Sequence, residues 1–233
     1  MQTGNQTLNK IDVIILSNTL NLEFYNLLQR CIDSIYSNTS IQTNIIIVET
    51  NTKLKGKNIP LAVNKNIQFV FPDEPFNYNR FLNFGIEKAE SEHILISNND
   101  VIYNPNCLNK LYESLKIYDS VSPWDLASSY KFFNQKTTFI EGNTVGQHVT
   151  GYSIMVKRNT LNIIGKFDER FSFWYQDNDY CNLLKHHNLK HALVTDALCT
   201  HLGSQSFKLL SITDIQEKIV HPIEILKNKW NNI

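Results

Sequence analysis

Three carboxylates and one imidazole stand where the sequence turns from apolar to polar. Asp100 closes Ser97-Asn98-Asn99-Asp100, directly after the apolar run Ile94-Leu95-Ile96. A divalent cation that holds a diphosphate needs few protein oxygens, because phosphate and water fill its remaining octahedral positions. One Asp at a strand end suffices if a second ligand arrives from elsewhere; the same residues also suit a turn that caps the strand and leads to Pro105. Asp177 follows the aromatic residues Phe171, Phe173, Trp174 and Tyr175 and precedes Asn178-Asp179. It is placed either to cap a helix, with Asp179 favouring the helix dipole, or to remove a proton from an attacking hydroxyl. The aromatic faces before it can seat a ring-shaped ligand or fill a core. His201, in Thr200-His201-Leu202-Gly203-Ser204, is either a hydrogen-bonded surface residue or a metal ligand beside a carboxylate. Glu49 ends the run Ile45-Ile46-Ile47-Val48. His186, His187 and His191 lie near a helix end and suit its dipole.

The elements that must position these groups alternate. Continuous apolar runs at Val13–Leu16, Ile45–Val48 and Ile94–Ile96 predict strands covered on both faces, and Ile67–Phe71 reads as a further strand ending at Pro72. Helical periodicity predicts helices over Glu23–Tyr36, Tyr78–Ala89 and Asn106–Tyr118. In open α/β sheets ligands bind outside the carboxyl ends of strands, so Ser17-Asn18-Thr19, Glu49-Thr50-Asn51 and Asn98-Asn99-Asp100 are expected to converge on one crevice. Further on, short strands are predicted at Ser128–Phe133, Thr137–Glu141, Tyr152–Val156 and Ala192–Val194. Asp177–His187 reads as a helix, Thr200–Ser206 as a loop, and Ser211–Trp230 as a terminal amphipathic helix. The stretch from Gly142 to Gly151 reads as a surface loop or a lid over a ligand.

Composition sets limits. With 42% hydrophobic and 19% charged residues, 233 residues suffice for a packed α/β domain. Lys plus Arg equals Asp plus Glu at 22 each, which argues against nucleic acid as the main partner. Cys31, Cys107, Cys181 and Cys199 show neither disulfide nor zinc spacing and are expected to be reduced. The polar start MQTGNQTLNK lacks an apolar signal core, and no apolar stretch has spanning length, so no transmembrane segment and a cytoplasmic address are expected. No GxGxxG follows the first strand, which counts against a dinucleotide-dependent oxidoreductase.

The order of these segments resembles the family-2 type of GT-A glycosyltransferases over roughly Asp12–Ser206. In that family a first strand and an acid after the second strand hold the nucleoside, matching Ser17-Asn18-Thr19 and Glu49-Thr50-Asn51. A segment with an Arg and an Asn follows, similar to Phe76–Ile86 with Arg80 and Asn83. Asn98-Asn99-Asp100 looks like a degenerate DxD motif that keeps only its last acid. The stretch Gly151–Arg158, followed by Gly165-Lys166-Phe167-Asp168-Glu169-Arg170-Phe171, resembles "R…GgFDE.F". Gln176-Asp177-Asn178-Asp179 resembles "EDxDl", whose first Asp is the base of inverting members, although Gln176 replaces the usual Glu. His201-Leu202-Gly203-Ser204 resembles a late motif that supplies a metal ligand.

The resemblance implies an α/β GT-A fold with a central, mostly parallel sheet in one domain over 1–233. It would have a nucleotide-binding half at about 11–102, an acceptor half at about 121–206 and a terminal helix at about 211–231. It implies a nucleotide-sugar donor, a glycan or other hydroxyl acceptor, Mn²⁺ or Mg²⁺ on Asp100 and His201, and Asp177 as base. Donor contacts would come from Ser17, Asn18, Thr19, Glu49, Asn51, Arg80, Asn83, Asn98 and Asn99, and acceptor contacts from Gly151, Trp174 and Tyr175. The terminal helix, with Lys227, Lys229 and Trp230, suits covering the sheet, pairing two copies as a homodimer, holding the acceptor, or touching a membrane surface. A non-catalytic nucleotide-sugar or glycan-binding module of the same fold is the second reading, resting on the incomplete DxD.

Overall fold

Strands β1 (Lys10–Ser17), β2 (Gln42–Glu49), β3 (Ile67–Val70) and β4 (His93–Asn98) pair in parallel in the order β3-β2-β1-β4. In this computed structural model the described residues are 9–57, 59, 66–127, 137–203 and 222–230. The register sets Ile14 beside Ile46 and Ile96, which brings Ser17, Glu49 and Asn98 to one edge of the sheet. Helix α1 (Leu22–Ser37) lays Leu28, Cys31, Ile32 and Ile35 on one sheet face, with Asn21 Oδ1 accepting from the Glu23 and Phe24 N–H groups as its cap. Helix α2 (Tyr78–Lys88) packs Phe81 and Leu82 on the other face. Gly85 lets it approach, since a Cβ there would collide with Ile14. Each such buried aliphatic or aromatic side chain contributes roughly 1.5–3 kcal/mol.

The second half continues the same sheet. Strand β8 (Ser153–Lys157) runs antiparallel to β4, and β6 (Ser120–Asp125) antiparallel to β8. Strand β9 (His191–His201) lies parallel to β6, and β5 (Val101–Tyr103) and β7 (Phe139–Glu141) both pair antiparallel with β9. Helices α3 (Cys107–Ser114), α4 (Arg158–Ile164) and α5 (Gln176–His186) complete the cover, and residues 222–230 are helical.

Several boundaries differ from the sequence reading. Strand β6 has no counterpart in the sequence reading: Pro123 cannot donate to a central ladder, and Ser120 and Ser122 interrupt any apolar run. Both serines are buried, and Pro123 sits at a register shift against β9, where its missing N–H does least harm. Thr200 and His201 end β9 rather than forming a loop, because Val101 pairs with His201. His191 opens β9 instead of serving a helix end. Its Nε2 lies 3.0 Å from the His148 carbonyl and so carries the proton, while Nδ1, 2.7 Å from Ser120 Oγ, accepts. Burial pulls its pKa down to about 3. The expected strand at Ser128–Phe133 and most of the expected terminal helix lie outside the described residues. All four cysteines are free and buried. Among the described residues no helix is long and apolar enough to cross a membrane.

Candidate active site

A crevice of about 350 Å³ opens at the carboxyl ends of β1, β2 and β4. One wall is strand-end backbone and short polar side chains: Ser17, Asn18, Thr50, Asn98, Asn99 and Asp100. The rest of the lining is Gly151, Tyr152, Phe173, Trp174, Gln176 and Asp177, with Phe76, Tyr78 and His201; Tyr152 adjoins the strand end, its carbonyl accepting from the Asn98 N–H at 2.8 Å. Three rings form an apolar ledge at the mouth: Phe76 meets Phe173 edge-on at 6.4 Å, and Phe173 meets Trp174 at 5.9 Å. Trp174 is 39% exposed.

Asp100 and His201 meet because the β5–β9 pairing sets Val101 opposite His201. Asp100 is buried, and its Oδ1 has no hydrogen-bond partner. His201 Nε2 lies 3.3 Å from that oxygen, close but outside hydrogen-bond geometry. Buried carboxylate oxygens are almost always satisfied, so an orphan beside an imidazole nitrogen is a donor pair with the chemistry to hold a divalent cation. The donors therefore fit Mn²⁺ or Mg²⁺. Among the described residues no cluster of three or more His, Cys, Asp or Glu exists, so a cation here would take its remaining positions from a phosphate and water. Tyr152 stacks on the imidazole at 4.3 Å and 21°. The backbone N–H of His201 donates to Asp125 Oδ1 at 3.2 Å, which ties down the strand end that carries the ring.

Asp177 does not cap its helix. The N-cap position of α5 is Tyr175, in the left-handed region at φ 66 and without a side-chain cap bond. The Asp177 carboxylate accepts a bond from the adjacent Asn178 N–H at 3.0 Å and turns to the crevice. Gly151 makes the room: a Cβ there would lie 2.7 Å from Asp177 Oδ2. Burial pushes the Asp177 carboxyl above the ordinary Asp value, against the opposing N–H bonds. Tyr78 stays protonated, its pKa raised by burial and then by the nearby Asp177. Gln176 Oε1 is buried at the crevice without a hydrogen-bond partner.

A family model described as "Glycosyl transferase family 2" matches residues 13–166, most of the chain. The chain belongs to glycosyl transferase family 2. A crystal structure of GalNAc-T7 with UDP, GalNAc and Mn²⁺ aligns with a TM-score of 0.68 at 12% identity, over 84% of this chain and 44% of that one. The chain thus spans less than half the length of that relative, and the likeness is one of fold: the GT-A fold. No curated protein matches the sequence.

Within this family fold, several residues expected at the donor stand elsewhere. Glu49 is fully buried and stitches two loops together. Its Oε1 accepts from Thr19 N (3.0 Å) and Asn51 N (2.8 Å), and its Oε2 from Thr19 Oγ1 (2.7 Å). Asn51 Nδ2 donates to the Thr19 carbonyl at 2.7 Å. Thr19, Glu49 and Asn51 therefore shape the strand end, and Thr50 lines the crevice in their place. Arg80 faces away, bound to Glu169 at 2.8 Å and Glu74 at 3.0 Å. Asn83 clamps Phe167 through both backbone groups, each at 3.0 Å. The reason is geometric: the start of α2 turns Phe76 and Tyr78 to the crevice and its polar face to residues 167–169. Tyr175 is the left-handed joint behind Trp174 and does not line the crevice, and Phe171 is core. Phe76, Tyr78 and Tyr152 lay within the motif segments, but aromatic type alone does not separate a crevice wall from a core.

Proposed function

We propose that this family-2 protein binds a nucleotide-diphosphate sugar in the crevice and moves the sugar to a hydroxyl acceptor by metal-dependent, inverting displacement. The observation that carries the reading is one crevice lined both by an orphaned Asp100 beside His201 and by a desolvated Asp177. The nucleoside rests on Ser17, Asn18 and Thr50, and the diphosphate lies by Asn98, Asn99 and Asp100. Asp100 and His201 would hold Mn²⁺ or Mg²⁺, which would supply Lewis acidity toward the leaving diphosphate. That the GalNAc-T7 structure contains UDP and Mn²⁺ supports this choice. Phe76, Phe173 and Trp174 seat the acceptor, a glycan or a lipid- or protein-linked sugar. Asp177 takes the acceptor hydroxyl proton as that oxygen attacks the anomeric carbon opposite the diphosphate. The new C–O bond forms while the bond to the diphosphate oxygen breaks, through an oxocarbenium-like transition state.

The loss of acids at Asn98 and Gln176 favours a second reading, a binding module without turnover. Donor binding comes first in both. Melting curves with UDP, GDP and dTDP, each with and without Mn²⁺, are expected to show a metal-dependent rise for one nucleotide. At one hundred times Kd the gain is about 2.7 kcal/mol, or roughly 5 °C or more for a chain of this size. No rise with any nucleotide overturns both readings.

A further inference from the structure

The helix at residues 222–230 brings two donors onto the segment that carries the crevice wall. Lys229 Nζ lies 2.9 Å from both oxygens of Asp179 and 3.0 Å from Asp168 Oδ2. Trp230 Nε1 donates to Asp179 Oδ1 at 2.8 Å, and its ring meets His186 edge-on at 6.1 Å. Asp179 is fully buried, so these donors are what make a carboxylate tolerable there.

Asp168 and Asp179 bracket a single stretch. Between them lie Phe173 and Trp174 of the ledge, and Asp177. One ammonium therefore ties the two ends of the loop whose middle forms the crevice wall. The first part of the loop is also tied to α2, through Asn79 Nδ2 to the Asp168 carbonyl at 2.8 Å, Asn77 Nδ2 to the Glu169 carbonyl at 2.7 Å and Tyr78 N–H to the Ser172 carbonyl at 2.7 Å. Beyond Ser172 the joint, Tyr175, is a non-glycine residue in the left-handed region, and α5 starts without a side-chain cap. Asp168 is already paired by Arg170, with Nη2 to Oδ2 at 2.6 Å. The added bond from Lys229 is thus not required to satisfy that charge; what it adds is a link between the two ends.

We propose that Lys229 and Trp230 are positioning residues: by pinning Asp168 and Asp179 they fix Asp177 and the Phe173–Trp174 ledge, so turnover requires the docked 222–230 helix. This rests on the reading of Asp177 as base. A displacement of about 1 Å at a reacting group costs on the order of 10²-fold in rate, which sets the scale of the expected loss.

The test uses the full chain as Lys229→Met, Lys229→Arg and Trp230→Phe, with Asp177→Asn beside them. Hydrogen exchange is followed on peptides covering 168–179, β1 and β2. Nucleotide release is followed over a panel of UDP-, GDP- and dTDP-sugars with Mn²⁺. Lys229→Met is expected to speed exchange in 168–179 at least tenfold while β1 and β2 stay protected. Turnover should fall roughly 10- to 100-fold with donor KM within twofold. Lys229→Arg should restore most of both, and Trp230→Phe, which keeps the ring and loses the donor, should fall between. Active Asp177→Asn would remove the base assignment, and exchange would still judge the clasp. Unchanged exchange in 168–179, or a rise spread evenly over the chain in every variant, overturns the proposal.

Discussion

Asp177→Asn is expected to keep the fold and the donor affinity while transfer falls by 10²- to 10⁴-fold, about 3–5 kcal/mol in barrier. The carboxylate accepts only local N–H bonds, from Asn178 at 3.0 Å and from its own residue, and Gly151 leaves it space. Asn preserves that shape and removes the basic oxygen. The pH profile follows from the same burial. A base works only when deprotonated, and burial raises this carboxyl, so transfer should fall on acidification with a midpoint above the ordinary Asp value of 3.8. That limb should vanish in Asp177→Asn. Stability carries the opposite sign. A carboxyl raised in the folded chain contributes stability below its unfolded pKa and loses it as pH rises through the folded value. Replacing it with neutral Asn at pH 7 should therefore leave the melting temperature unchanged or higher. Lowered stability with normal turnover per folded molecule would instead make Asp177 a structural residue.

Asp100→Ala should weaken metal-dependent nucleotide binding at least about 100-fold. Loss of a mere outer-shell partner typically costs 10–100-fold in metal affinity, and Asp100 is read as a direct ligand. The fold should tolerate the change, since Asp100 Oδ1 has no hydrogen bond to lose and burial of an unsatisfied oxygen is itself unfavourable. Titration calorimetry with UDP, or whichever nucleotide diphosphate the melting curves select, in Mn²⁺ and in EDTA separates the two contributions. Wild type should lose affinity in EDTA, and Asp100→Ala should bind equally weakly in both. Binding by the wild type that ignores EDTA removes the metal from the account.

How much was legible in the sequence depended on which partner a residue uses. The parallel half was legible because Val13–Leu16, Ile45–Val48 and Ile94–Ile96 are continuous apolar runs, the pattern of strands covered on both faces. Strand β6 was not, because Ser120, Ser122 and Pro123 carry no strand signal of their own; the partners that make it a strand, His191 and β9, lie some seventy residues on. Asp100 and Asp177 stand at element ends that the pattern located, His201 ends a strand where a loop was expected, and the fold brings all three to one crevice. Glu49 and Arg80 have the residue types of a binding site, yet the chain supplies their partners internally, in Thr19 and Asn51 and in Glu74 and Glu169. Residue type tells what a side chain can bind, and only the fold tells what has already bound it. The role of Lys229 was hidden likewise, since its two acids lie fifty and sixty-one positions back.

The central claim is glycosyl transfer from a nucleotide sugar with inversion, and anomeric-proton NMR tests it most directly. Wild type and Asp177→Asn would be followed side by side with Mn²⁺ across UDP-, GDP- and dTDP-sugars. Release of the nucleotide diphosphate from one donor is expected, with the first-formed sugar product in the opposite anomeric configuration and little release by Asp177→Asn. No release by the wild type above the variant, or a first-formed product that keeps the donor's configuration, would contradict it.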